Sequence, residues 1–321
     1  MDLNEYLDVA GEEIDMALNH FFGNTTGKLN KASRHLLLAG GKRLRPAVVL
    51  LGADAISKGS SQDILPAALA LEVTHTFTLI HDDIMDGDSV RRGVPTVHTV
   101  WDEPTGILAG DVLYAEAFEL LCNAIADDRA KVRAVSMLAR TCAEICQGQY
   151  MDMSFSDRDD VTSLEYIEMV GKKTGVLYAA SAAIGGTLAG ANVQQIQALY
   201  DWGLNSGVAF QIQDDFIDLM APPEISGKNR ASDLREGKQT LIAIVAREHG
   251  IDLTPYRKEN LTDEEIDDVI SILDDAGVIE EVRAVALKRV EIAKKMLTIL
   301  PESEERNILS GITDYFVNRG F

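Results

Sequence analysis

Aromatic residues are scarce: only 6% of the 321 residues are Phe, Trp or Tyr. Alanine and leucine fill the apolar positions instead, a composition that favours helix. Strand patterns and strand–helix alternation are missing too, which argues against a sheet-based fold. Cysteine is nearly absent. The three, Cys122, Cys142 and Cys146, are too few and odd in number for a disulfide framework and point to a reducing compartment. Cys142 and Cys146 share a helix face, but with no His or further Cys nearby they read as small buried side chains rather than metal ligands. Positive charge is in short supply. The 30 Lys and Arg against 51 Asp and Glu leave a formal net charge of −21, so no basic field exists to hold a nucleic-acid backbone. No apolar run reaches the length of a membrane span. The opening Met1-Asp2-Leu3-Asn4-Glu5 is acidic and does not read as a signal peptide. The expected location is the cytoplasm.

What is present is helix-forming sequence and an uneven distribution of Asp. Hydrophobic residues make up 46% of the chain, enough for a substantial core. Helical periodicity predicts elements over residues 3–22, 30–39, 47–56, 63–86, 106–126, 129–148, 163–173, 175–191, 193–220, 240–248, 262–276, 279–300 and 302–316. Residues 87–95 read as a loop, and Gly185-Gly186 as a place where helices approach closely or kink. No linker or short repeat interrupts the chain. The expectation is one all-α domain of about a dozen helices over residues 1–321, by analogy with bundles whose sites sit on facing helices.

The run Leu79 to Asp86 ends the 63–86 segment and carries Asp82, Asp83 and Asp86. Asp82 and Asp86 stand four apart, on one helix face and one turn from each other. Like charges this close repel, so the arrangement makes sense around a hard divalent cation. Mg²⁺ is commonly held by one or two carboxylates with phosphates and waters completing its shell. The spacing recurs as Asp214-Asp215-Phe216-Ile217-Asp218. Four other Asp-Asp pairs occur, and none has an Asp three residues after its second member. Two occurrences favour a metal site over accident.

Because the chain is acidic, its cationic islands are informative. Lys42, Arg43, Arg45, Arg91, Arg92, Lys172, Lys173, Lys228, Arg230 and Lys238 fall in Gly-marked stretches or flank the Asp motifs. Mg²⁺ with Arg and Lys is equipment for a polyphosphate, Arg as a planar fork and Lys as a point charge. The Lys228 island lacks the pattern of a P-loop, which disfavours a nucleotide. His75 lies seven residues before Asp82, near the same face two turns down.

These residues resemble the trans-isoprenyl diphosphate synthases. The matching text is Gly40-Gly41-Lys42-Arg43-Leu44-Arg45-Pro46, then His81 to Asp86 with Arg91-Arg92-Gly93, then Lys173-Thr174-Gly175, Phe210 to Asp215, Gly227-Lys228, Asp233 and Gly237-Lys238. The resemblance implies an all-α fold, a single large orthogonal helical bundle with a central cavity, a homodimer, and condensation of isopentenyl diphosphate head to tail with an allylic diphosphate. It implies three Mg²⁺ ions, two on Asp82 and Asp86 and a third on Asp214, with Asp83, Asp215 and Asp218 in support. Lys42, Arg45, His75 and Arg92 would grip isopentenyl diphosphate. Arg91, Lys173, Thr174, Gln211, Lys228 and Lys238 would surround the allylic diphosphate, and the oxygens of Gln211 and Thr174 would face the allylic cation. No side-chain nucleophile is required.

In such enzymes, bulk at the fifth and fourth residues before the first Asp stops the growing chain. Here those positions are Phe77 and Thr78, one aromatic beside a small residue, which is similar to geranylgeranyl-type enzymes; farnesyl diphosphate is the shorter alternative. Phe77 lies about 7.5 Å below Asp82 by helix rise, yet an ideal wheel turns Thr78 toward the Asp82 face. Two rival readings share features with this one. A class I terpene cyclase has the first Asp motif, but usually an Asn/Ser/Glu second motif and no Lys42–Arg45 pair. A non-catalytic partner subunit would have lost an Asp motif, and this chain keeps both.

Overall fold

Asp2 starts the first helix, accepting a hydrogen bond from the backbone N–H of Glu5 at 2.9 Å. This helix, α1 (Leu3–Phe22), buries Ala10, Ile14, Leu18 and Phe22, a stripe at four-residue spacing. The computed structural model describes residues 2–23, 26–220 and 230–318. Helices α2 (Lys28–Leu37), α3 (Leu44–Asp54) and α4 (Leu65–Asp86) follow. After α4 come the two-residue strands β1 (Val90–Arg91) and β2 (Val94–Pro95), then α5 (Val97–Val100), α6 (Glu103–Cys122) and α7 (Asp128–Phe155). Next are α8 (Ser163–Val170), a π turn (Gly171–Gly175), α9 (Val176–Leu188) and α10 (Val193–Met220). The chain closes with α11 (Ser232–Glu236), α12 (Leu241–Glu248), α13 (Asp263–Asp275), α14 (Val278–Leu297) and α15 (Glu304–Asn318). The all-α expectation holds, since the hairpin is the only sheet among the described residues. None of the described helices is long and apolar enough to cross a membrane.

The chain divides into two compact units. One comprises Met1–Cys142, Leu177–Tyr200 and Leu297–Gly311; the other comprises Ala143–Val176, Asp201–Met296 and Ile312–Phe321. In the first, α4 is buried on nearly every side and packs on α3 and α6. Glycines let α9 press onto α3: a Cβ on Gly185 would lie 2.0 Å from the Val49 carbonyl oxygen, and one on Gly52 2.5 Å from that of Ala182. Backbone cannot yield as a side chain can, so Gly185→Ala is expected to destabilise the protein by about 3 kcal/mol. Chemical denaturation measures this, and an unchanged midpoint would contradict the close approach. In the second unit, Phe155, Tyr166, Ile212, Phe216, Ile244 and Ile266 belong to one buried cluster.

Three sequence expectations change. The helix foreseen over 129–148 runs on to Phe155, because Gly148 is a packing glycine, not a stop. Its Cβ would sit 2.3 Å from the backbone nitrogen of Lys173. The loop over 87–95 contains the hairpin, closed by Arg92 and Gly93 with φ of 54° and 74°. Two successive left-handed residues are what a tight two-residue hairpin turn requires. Cys142 is buried as foreseen, whereas Cys146 is exposed.

Candidate active site

The first Asp motif closes α4. Gly87, with φ 71°, caps it through its N–H on the Asp83 carbonyl. The carboxylates therefore stand at the negative end of a helix dipole, in a last turn without a basic residue. That placement is unfavourable unless a cation sits there. Asp82 is half-buried and Asp86 exposed, while Asp83 is fully buried. Asp83 is taken up by Arg91, whose Nε donates to its Oδ1 at 2.7 Å; Arg91 Nη2 donates to Asp88 at 2.6 Å. Burial pushes the Asp83 carboxyl up from its ordinary pKa, and Arg91 opposes this. Asp83 thus anchors Arg91, and Asp82 and Asp86 form the pair with metal-holding chemistry. Among the described residues no three metal-ligating side chains cluster.

Farther down α4, the same unit gathers the cations expected to bind isopentenyl diphosphate. Burial, then the charges of Arg45, Arg92, Arg91 and Arg43, hold His75 well below its ordinary pKa, so it is neutral at pH 7. Arg45 lies over the ring of Tyr178, 4.5 Å from its centroid. Lys42 is exposed on the loop before α3. Arg43, by contrast, is 3% exposed, and its guanidinium is spent on Asp15, Glu72 and the Leu37 carbonyl. Arg43 is a brace, which separates it from Lys42 and Arg45 on either side. Phe77 is buried and meets Tyr114 of α6 edge-on, with ring centroids 5.4 Å apart; Tyr114 in turn meets Phe118 at 5.1 Å. The Thr78 hydroxyl donates back to the His75 carbonyl at 2.8 Å.

The second unit holds the remaining expected residues. The π turn carries Lys172, Lys173 and Thr174, and wide turns of this kind are frequent at functional sites. Lys173 Nζ donates to Asp152 at 2.5 Å. A hydrogen-bonded chain follows: Thr174 donates to Gln211 Oε1 at 3.1 Å, Gln211 Nε2 to Asp215 Oδ1 at 3.1 Å, and Tyr166 to Asp215 Oδ2 at 2.6 Å. Burial, then the charge of Asp233, pushes Asp215 well above the usual carboxylate range, while Tyr166 and Gln211 pull it back. Asp218 braces α11, accepting from the Ser232 hydroxyl and, at 3.0 Å, from the Asp233 N–H. Asp215 and Asp218 therefore do bracing work within the motif. Asp214 is half-buried on the same helix. Lys238 pairs with Asp233 at 3.3 Å and Glu236 at 3.1 Å. Asp152, Lys173, Thr174, Gln211, Asp215 and Lys238 line one cleft. Lys228 lies outside the described residues.

Sequence reading missed Glu72, Asp152, Tyr166, Tyr114 and Gln149. Glu72 left a signal, as the one carboxylate in the uncharged run from Leu65 to Ile80. Tyr114 and Phe118 stand four apart on one face of α6, a signal that nothing nearby tied to Phe77. Gln149 is 6% exposed, and its side-chain amide has no hydrogen-bond partner among the described residues. It has no local signature, and neither do Asp152 and Tyr166.

Comparison with known proteins agrees with this arrangement. Residues 26–273 match the family described as polyprenyl synthetase. The chain is 50% identical over 291 residues to a geranylgeranyl pyrophosphate synthase of Geoglobus acetivorans, covering 91% of each chain. It is 46% identical over 309 residues to a geranylfarnesyl diphosphate synthase of Natronomonas pharaonis, covering 92% of this chain and 91% of that one. A solved geranylgeranyl pyrophosphate synthetase from Geoglobus acetivorans superposes with a TM-score of 0.91 at 45% identity, over 98% of this chain and 99% of the other. On sequence and fold alike, this chain belongs to the polyprenyl synthetase family.

Proposed function

We propose that the protein is a short-chain prenyltransferase that condenses isopentenyl diphosphate head to tail with allylic diphosphates, giving mainly geranylgeranyl diphosphate. The observation that supports this reading is the presence of two separate cationic groups. One is Arg45 and Arg92, with Arg43 and Arg91, around neutral His75; the other is Lys173 and Lys238, with Thr174, in the cleft of the second unit. Two sets suit two diphosphates, whereas a cyclase binds one.

Lys173 and Lys238 hold the allylic diphosphate, and the C–O bond breaks with its electron pair leaving on the diphosphate. When bound on the carboxylates of the Asp motifs, Mg²⁺ would neutralise charge on that leaving group. Lys42, Arg45, His75 and Arg92 hold isopentenyl diphosphate so that its double bond attacks the allylic cation. Gln211 is held at its amide nitrogen by Asp215 and at its carbonyl oxygen by the Thr174 hydroxyl; that carbonyl oxygen and the Thr174 hydroxyl oxygen offer negative dipoles to the cation. A proton then leaves to an oxygen of the released diphosphate. In support of a homodimer, Ile107, Leu108, Ile125 and Val132 are exposed apolar residues that a second copy could cover. The low, odd cysteine count supports a cytoplasmic location.

The test is to incubate the protein with Mg²⁺, isopentenyl diphosphate and, separately, dimethylallyl, geranyl and farnesyl diphosphate, then size the dephosphorylated products. Linear geranylgeraniol supports the proposal. Farnesol keeps the chemistry and shortens the product, cyclic hydrocarbon indicates a cyclase, and no turnover indicates a partner subunit.

Tyr166→Phe tests the orientation of Gln211. Loss of the hydroxyl that fixes Asp215 is expected to lower kcat about tenfold, roughly 1.4 kcal/mol, with KM for isopentenyl diphosphate unchanged. A changed KM with full kcat would assign Tyr166 to substrate binding instead.

A further inference from the structure

Glu72 lies on α4, three residues and about one turn before His75. It is 2% exposed, the environment in which a carboxylate is costly unless paired. One oxygen, Oε1, accepts from two arginines: Arg43 Nη1 at 2.5 Å and Arg92 Nη2 at 3.2 Å. Both arginines are also tied to the end of α2, Arg43 to the Leu37 carbonyl at 2.9 Å and Arg92 to the Leu36 carbonyl at 3.2 Å. Both hold left-handed backbones, φ 46° and 54°; among the described residues Ala231 is the only other non-glycine residue with positive φ. Such conformations persist where the surroundings enforce them, and they cluster at functional sites. Gly41 completes the fit, since a Cβ there would lie 3.2 Å from the Arg92 guanidinium carbon.

Four guanidinium groups act on His75, so their mutual repulsion works against a fixed geometry. Burial draws the Arg92 pKa down, and the charge of Glu72 opposes that. A purely structural carboxylate would need only Arg43, which is buried and has all three guanidinium nitrogens engaged. Arg92 is partly open, and Glu72 and Leu36 engage only its two terminal nitrogens, leaving further N–H groups for an anion.

We propose that Glu72 is a positioning residue for isopentenyl diphosphate: it fixes Arg92 directly, and through Arg43 it fixes the loop that carries Lys42 and the first turn of α3 that carries Arg45. The proposal rests on the prenyltransferase reading and deepens it. Glu72 touches no substrate. It sets where the cations stand before the diphosphate arrives, so its effect falls on one substrate of the two.

Steady-state kinetics with each substrate varied tests this in the full-length protein. Glu72→Gln is expected to raise KM for isopentenyl diphosphate tenfold or more, about the effect of losing a charged hydrogen bond. KM for the allylic diphosphate should stay within about twofold. Glu72→Asp, which keeps the charge but shortens the reach, should fall between, and it stands in if Glu72→Gln fails to fold. In an Arg92→Ala background, Glu72→Gln should raise KM by less than it does alone, because only the route through Arg43 remains. Equal rises for both substrates, no rise, or full additivity with Arg92→Ala would overturn the proposal. Wild-type protein that consumes no isopentenyl diphosphate with any primer would overturn the underlying reading, and this proposal with it.

Discussion

Asp82→Ala is expected to lower kcat by about a thousandfold, roughly 4 kcal/mol of transition-state stabilisation, and Asp86→Ala to do nearly the same. The carboxylates end α4 where the helix dipole is already negative and no basic residue shares the last turn. They gain from that position only when a cation joins them. Neither is part of the buried packing of α4, so the melting transition of each variant should stay within about 1 kcal/mol of wild type. Chelation of Mg²⁺ should stop turnover without unfolding the protein, for the same reason. Asp83→Ala differs in kind. It strands Arg91 beside Asp88 and empties a fully buried position, so stability should fall together with activity. Turnover by Asp82→Ala near the wild-type rate would sink the metal assignment.

Phe77→Ala is expected to lengthen the product by at least one five-carbon unit. The ring is buried and continues through Tyr114 to Phe118, three aromatic rings in edge-on contact between α4 and α6. Removing the first ring opens space on the side of α4 below the Asp pair. Tyr114→Ala should have a smaller effect in the same direction, because Phe77 would remain. Chromatographic sizing of dephosphorylated products reads both. An unchanged distribution in Phe77→Ala would place the stop elsewhere. Overall likeness does not decide product length: relatives at 50% and 46% identity are named for geranylgeranyl and geranylfarnesyl products. The determinant has to be local.

Much of the fold was legible because it depends on short-range rules. The helix over residues 3–22 with Ile14 and Leu18 on its apolar face, and the helix end at Asp86, are written within a few residues of where they act. The expected run of helices was therefore close to the observed one. Errors came where a residue type has two uses. Gly148 looked like a helix stop and is a contact surface for the Lys173 backbone, which no local pattern can reveal. Arg92-Gly93 looked like loop and makes a hairpin turn, because a lone arginine with φ 54° is not predictable from its neighbours.

The candidate site divides in the same way. Sequence by itself determined the two Asp motifs, the cations beside them and the family resemblance, since a helix of fixed rise puts residues four apart on one face whatever surrounds it. Only the tertiary structure decided which group does which work. Asp82 and Asp83 are adjacent in the chain, yet burial and Arg91 make one an anchor and leave the other at the helix end with the metal-holding chemistry. Arg43 and Arg45 are two residues apart, yet Glu72 and Asp15 consume the first while Tyr178 supports the second. Tyr166 reaches Asp215 across 49 positions. The physical reason is that burial and pairing depend on what lies across the fold, and those neighbours come from segments far apart in the chain.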